Sequence, residues 1–194
     1  MKWLNHLIYR GFVINDRLYR RIHRFIRVNP LLLVKVRIYQ GPNRQFDDGT
    51  VLKPGDSIGE LHFDNAFLSQ QYNQHQQSYN FLFARHMRRA LRRLAEACVE
   101  HPELQHCKVF HGVTWIAEHG AKVGFATEQI SNPFKRWWLS THFKWLVNAC
   151  FVQLRDQTFD FTPRQFWLPA RGLVYHHHKK AVMLHSDEKL LVAA

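Results

Sequence analysis

The stretch from Arg37 to Asn65, RIYQGPNRQFDDGTVLKPGDSIGELHFDN, constrains the fold more than any other part of the chain. Just upstream, Leu31 to Tyr39 alternates Lys35 and Arg37 with Val34, Val36 and Ile38, which reads as a strand with one wetter face. Gly41-Pro42-Asn43 turns the chain. Asp47-Asp48-Gly49 supplies the αL-tolerant pair a tight hairpin needs, and Lys53-Pro54-Gly55-Asp56 makes a third turn. Ser57 to Asp64 then reads as a second strand: Ile58, Leu61 and Phe63 are apolar, while Glu60, His62 and Asp64 share one face.

That polar face is the candidate chemistry. A carboxylate beside an imidazole orients the ring and raises its basicity, the minimum for general acid-base work. His62 is the candidate acid/base, with Glu60 or Asp64 to orient it and Asn65 as an adjacent ligand-binding group. The competing reading is a solvated edge strand with Asn65 capping a turn. Metal binding has contributors among the 14 histidines, notably His101, His106, His111, His119 and the run His176–His178, but none has metal-motif spacing. Neither a metal nor a cofactor is expected, and no phosphate loop, dinucleotide fingerprint or nucleophile elbow is present.

Around this unit the chain reads as helices. Residues 2–28 form an amphipathic helix by periodicity, with Leu4, Leu7, Ile8, Ile14, Leu18, Ile22, Phe25 and Ile26 on one face. Arg10, Arg17, Arg20, Arg21, Arg24 and Arg27 gather opposite, and Asn29-Pro30 ends it. Two readings stay open: a helix lying on an anionic membrane through Arg17, Arg20, Arg21 and Arg24, or one covering the sheet. Ser69 to Tyr79 is expected as a loop leading to a helix capped near Ser78 and running to Val99. Arg85, Arg88, Arg89, Arg92 and Arg93 make a second cationic stripe there, a candidate anion-binding face. Cys107–Ala117 and Ala121–Ile130 read as strands joined around His119-Gly120. A last long helix spans 133–154; Phe134, Trp138, Trp145 and Val152 give it a second apolar face, expected in the core. After Gln157 the pattern weakens, with a short strand at Val182-Met183-Leu184.

Charge narrows the partners. Lys+Arg 27 against Asp+Glu 15 gives +12 on 194 residues, which favours a membrane surface, an acidic glycan or nucleic acid. Cys98, Cys107 and Cys150 are odd in number and lack Cys-x-x-Cys spacing, so neither a disulfide framework nor a zinc ribbon is expected. Cys98 and Cys150 read as buried thiols, and the expected setting is cytoplasmic, with peripheral attachment to the inner face of the membrane as an option. No apolar run reaches the roughly 20 residues of a bilayer span, and the N-terminus lacks a signal-peptide pattern.

The combination DGTVLKPGDSIGELHFDN, an Arg-rich helix, and HGVTWIAEHGAKVGFAT resembles the YkoP-like family, bacterial domains found alone or after a polysaccharide deacetylase domain. The resemblance rests on Gly55, Asp56, Gly59, Glu60, His62 and Asn65, and secondarily on Gly112 and Gly124. It implies a connection to the cell envelope and carries no catalytic mechanism.

The expected architecture is α+β: a mixed or antiparallel sheet of about five strands under helices near 78–99 and 133–154. Residues 1–29 are read as the basic helix, 30–157 as the domain and 158–194 as a partly structured extension. Three functions follow: a non-catalytic peripheral protein binding an anionic membrane or envelope ligand, an enzyme on an envelope lipid or glycan using His62, and nucleic-acid binding. The last is disfavoured, since no recognition motif accompanies the basic helices.

Overall fold

The computed structural model describes residues 2–74, 79–115, 125–151 and 160–175. The N-terminal amphipathic pattern folds as α1 (Lys2–Ile22), which stops short of the expected Val28. Arg24 takes a positive φ of 49°, and the chain turns into β1 (Ile26–Arg27). Strand pairing wins over helix here, because Ile26 and Arg27 lie opposite Val34 and Leu33 of β2 (Leu32–Ile38). Asn29 Oδ1 fixes the turn by accepting from the Leu31 and Leu32 amides.

The Gly/Pro/Asp-rich stretch folds as its turns dictate. A small hairpin, β3 (Arg44–Gln45) and β4 (Val51–Leu52), reverses at Gly49. Gly55 has φ 93°, and beside it the Lys53 amide donates to Asp56 Oδ2 at 2.7 Å. β5 (Ser57–Phe63) then pairs antiparallel with β2, from Leu32 opposite Phe63 to Ile38 opposite Ser57.

Residues 69–74 of the expected loop belong instead to α2 (Asn65–Gln74). Asp64 starts that helix, its Oδ1 accepting the Phe67 amide at 3.0 Å. Next come α3 (Tyr79–Glu100), α4 (Pro102–Gln105), β6 (Val109–Thr114), β7 (Ala126–Gln129), α5 (Pro133–Cys150) and β8 (Arg164–Pro169). Asn132 caps α5, accepting from the Lys135 amide. The fold is α+β, with one mixed six-stranded sheet in the order β1-β2-β5-β6-β8-β7.

Two expectations change. β6 and β7 do not form a hairpin: β8 lies between them and pairs antiparallel with both. β8 ends in four buried residues, so it carries no alternating pattern to announce it. The other change concerns α5. Its buried face is Phe143, Leu146, Val147, Ala149 and Cys150, whereas Phe134, Trp137, Trp138 and Trp145 are 59–71% exposed. The second apolar face expected in the core therefore faces solvent. The cap at Ser78, the turn at His119-Gly120, Val152, Gly124, the run His176–His178 and the strand at Val182-Met183-Leu184 lie outside the described residues.

One sheet face packs on α3, as the edge-to-face pair Phe63–Phe83 shows, and Leu61, Val34 and Phe110 join Leu82, Leu91 and Leu94 in one core. Gly59 and Gly112 are set by this packing: a Cβ at Gly59 would strike the Phe110 ring, and one at Gly112 the Phe166 ring. No helix among the described residues is long and apolar enough to cross a membrane.

Candidate functional site

Strand alternation puts Glu60 and His62 of β5 on the sheet face away from α3, and the parallel pairing of β5 with β6 sets His111 directly opposite Glu60. α1 and α5 close over this face and enclose a cavity of about 540 Å³. Val13, Asp16 and Tyr19 line it from α1, and His111, Val113 and Trp115 from β6 and its end. From α5 come Lys135, Leu139, His142, Phe143 and Leu146, residues that recur at helical spacing and so share one side.

His62 finds its carboxylate in α1. Its Nε2 lies 2.9 Å from Asp16 Oδ1, 46 positions away in sequence. A hydrogen bond donated by Nε2–H to the carboxylate leaves Nδ1 as the accepting nitrogen. The Phe25 and Tyr19 rings flank the imidazole, with centroids 5.3 and 6.1 Å away. Arg20, one turn along α1, holds Asp16 Oδ2 at 2.9 Å and Asp64 Oδ2 at 2.5 Å. Arg27 reaches the same Asp64 oxygen at 3.1 Å. Burial raises the Asp64 pKa, but the Phe67 amide, Arg20 and Arg27 together outweigh it and hold the carboxyl below its ordinary range.

The remaining expected site residues are differently engaged. Glu60 pairs with Arg37 at 2.8 Å. Asp64 turns away from the cavity to cap α2 and bind arginine, while Asn65 lines the cavity. Arg85, Arg88, Arg89 and Arg92 are exposed on α3, and none lines the cavity. Arg17, Arg21 and Arg24 are exposed, but Arg20 is 11% exposed and turned inward, so the four do not act as one stripe.

Asp16, Lys135 and His142 enter the site unannounced, and His111, named in the sequence only as a possible metal ligand, joins them. Asp16 had one available signal: it is the lone acid in residues 2–28, four positions before Arg20. Burial pushes His111 down to about 4, against a smaller upward pull from Glu60, and its ring packs 4.1 Å from that of Trp167. Burial also lowers His142. The Tyr19 phenol is raised by burial and by Glu60. Burial pushes the Cys150 thiol in the wall up to about 11, which makes it a poor nucleophile. Among the described residues no three His, Cys, Asp or Glu side chains are grouped to hold a metal ion.

A family model described as the YkoP domain matches residues 5–177. The chain belongs to the YkoP domain family. The matched span begins within α1 and ends beyond β8, so Asp16, His62, His111 and Lys135 all fall inside this YkoP domain. No curated protein and no solved structure matches the chain. Within the YkoP domain, then, an imidazole–carboxylate pair faces a cavity that is apolar at Leu139, Phe143 and Leu146 of α5 and polar around Glu60, Arg37, Lys135 and His142. Such a site can bind a small molecule, and it can move a proton at Nδ1 of His62.

Proposed function

We propose that this protein is a non-catalytic peripheral protein of an anionic membrane surface. The observation that carries the reading is the orientation of α1. The helix turns Asp16 and Arg20 inward and leaves Ile14, Leu18 and Ile22 54–65% exposed. At helical pitch, Arg17 and Arg21 run beside that apolar stripe, with Arg24 exposed just past the helix end, so apolar and cationic groups reach solvent together. The exposed Trp137, Trp138 and Trp145 of α5, which packs against α1, are residues suited to a headgroup boundary. A shallow cleft of about 720 Å³ is lined by Arg17, Arg20, Arg21, Arg27 and Asp64; Asp64 takes up Arg20 and Arg27, leaving Arg17 and Arg21 for a phosphate group. Each cation near such a surface contributes about 1 kcal/mol. A link to envelope lipid or polysaccharide metabolism rests on family kinship alone.

The test is co-sedimentation with anionic and zwitterionic vesicles at low and physiological salt. Binding to anionic vesicles alone is expected, lost in the triple variant Arg17→Gln/Arg21→Gln/Arg24→Gln. Binding that this variant keeps, or no binding by the native chain, refutes the proposal.

A second reading, an enzyme acting on an envelope lipid or glycan, has its own observation in the Asp16–His62 contact. There His62 is the acid/base and Asp16 its positioning residue. A folded His62→Ala variant with full biological activity rules it out.

A further inference from the structure

The cavity wall carries two acids, Asp16 and Glu60, and two cations, Arg37 and Lys135, but they do not all pair with one another. Glu60 is matched by Arg37 at 2.8 Å, and Asp16 by Arg20 and His62 at 2.9 Å each. Arg20 comes from outside the wall, so Lys135 at the polar end is left with no carboxylate partner among the described residues. Along α5 from Lys135, Leu139, Phe143 and Leu146 continue the same wall as an apolar track. At the helical rise Lys135 and Leu146 stand about 17 Å apart. The volume of about 540 Å³ lies within the usual range of small-molecule sites.

We infer that the cavity between α1, β5, β6 and α5 binds a single-chain amphiphile with an anionic head. The head lies against Lys135, and the chain runs along Leu139, Phe143 and Leu146. A soluble anion alone would leave that track unfilled, and a neutral amphiphile would leave Lys135 unmatched. The inference stands apart from vesicle binding, which uses the outer faces of α1 and α5.

The experiment is calorimetric titration of the full chain with dodecyl phosphate below its micelle concentration, with dodecanol and inorganic phosphate run in parallel. Saturable binding of dodecyl phosphate is expected, with inorganic phosphate much weaker. Lys135→Met should weaken dodecyl phosphate by about tenfold and leave dodecanol unchanged. Leu139→Trp, which fills the track, should weaken both. Lys135 is exposed, so its variant keeps the test meaningful if Leu139→Trp does not fold. Trp137→Ser/Trp138→Ser/Trp145→Ser should lose vesicles and keep dodecyl phosphate. The inference is overturned by no binding in the native chain or equal affinity for inorganic phosphate. Binding untouched by Lys135→Met, or binding lost with the three tryptophans, overturns it as well.

Discussion

Arg20 of α1 and Asp64 at the end of β5 meet at 2.5 Å, with side chains 11% and 8% exposed. Together with the Asp16–His62 contact, it ties the first helix to the sheet. It also positions Asp16 for His62, because the same guanidinium holds both carboxylates.

Replacing Arg20 with Gln therefore acts on the fold. Breaking a buried ion pair by removing one partner costs about 3–5 kcal/mol, and Arg27 offsets part of that by remaining on Asp64. Chemical denaturation should show Arg20→Gln destabilised by about 2–4 kcal/mol. Arg17→Gln and Arg21→Gln, at exposed positions, should change stability by less than about 0.5 kcal/mol. Equal effects at all three sites would contradict this division.

Asp64 predicts an acid limb. Its pKa in the fold lies below the ordinary 3.8, so its contribution is present above that value and is lost as pH falls through the lower folded pKa. The stability gap between the native chain and Asp64→Asn should be constant from neutral pH down to about 4 and narrow below it. Equilibrium unfolding across that range measures the gap, and a pH-independent gap would remove Asp64 from the acid response.

His111 works in the same direction at higher pH. Held near 4 by burial against an ordinary 6.5, it stays neutral in the fold while the unfolded chain takes up a proton. Its share of stability is complete above 6.5 and declines as pH falls from there towards 4. Nuclear magnetic resonance of the ring should show no titration between pH 8 and 5, and a midpoint near 6.5 would refute the assignment.

Gly59→Ala forces a methyl group onto the Phe110 ring and to 2.9 Å from Val34 Cγ1. Overpacking of this kind costs about 1–3 kcal/mol, and thermal unfolding should register it. An unchanged melting temperature would mean that Phe110 moves freely aside.

The strands at Leu32–Ile38 and Ser57–Phe63 and the turns between them were legible because alternation and Asp-Gly or Pro-Gly chemistry are local signals. His62 was legible as a candidate for the same reason. Its partner was not: Asp16 sits 46 positions away, and only the docking of α1 brings it there. Alternation suggested Asp64 instead, but β5 ends at Phe63 and helix capping turns that carboxylate aside. In α5 two apolar faces compete in the sequence, and nothing local says which one the sheet will cover. The acyclic order of the last strands was hidden too, since the Phe-Trp-Leu run of β8 shows no period.

The place of β8 between β6 and β7 sets a timetable for synthesis. β1, β2, β5 and β6 can join as they leave the ribosome, but β7 emerges before the strand it must pair with. Until residues 164–169 follow, the growing chain carries an open edge at β6 and a stranded β7, the kind of surface that other chains pair with. A chain cut short within α5 would keep both of those edges open, and among the described strands the last to be made is the one that joins β6 to β7.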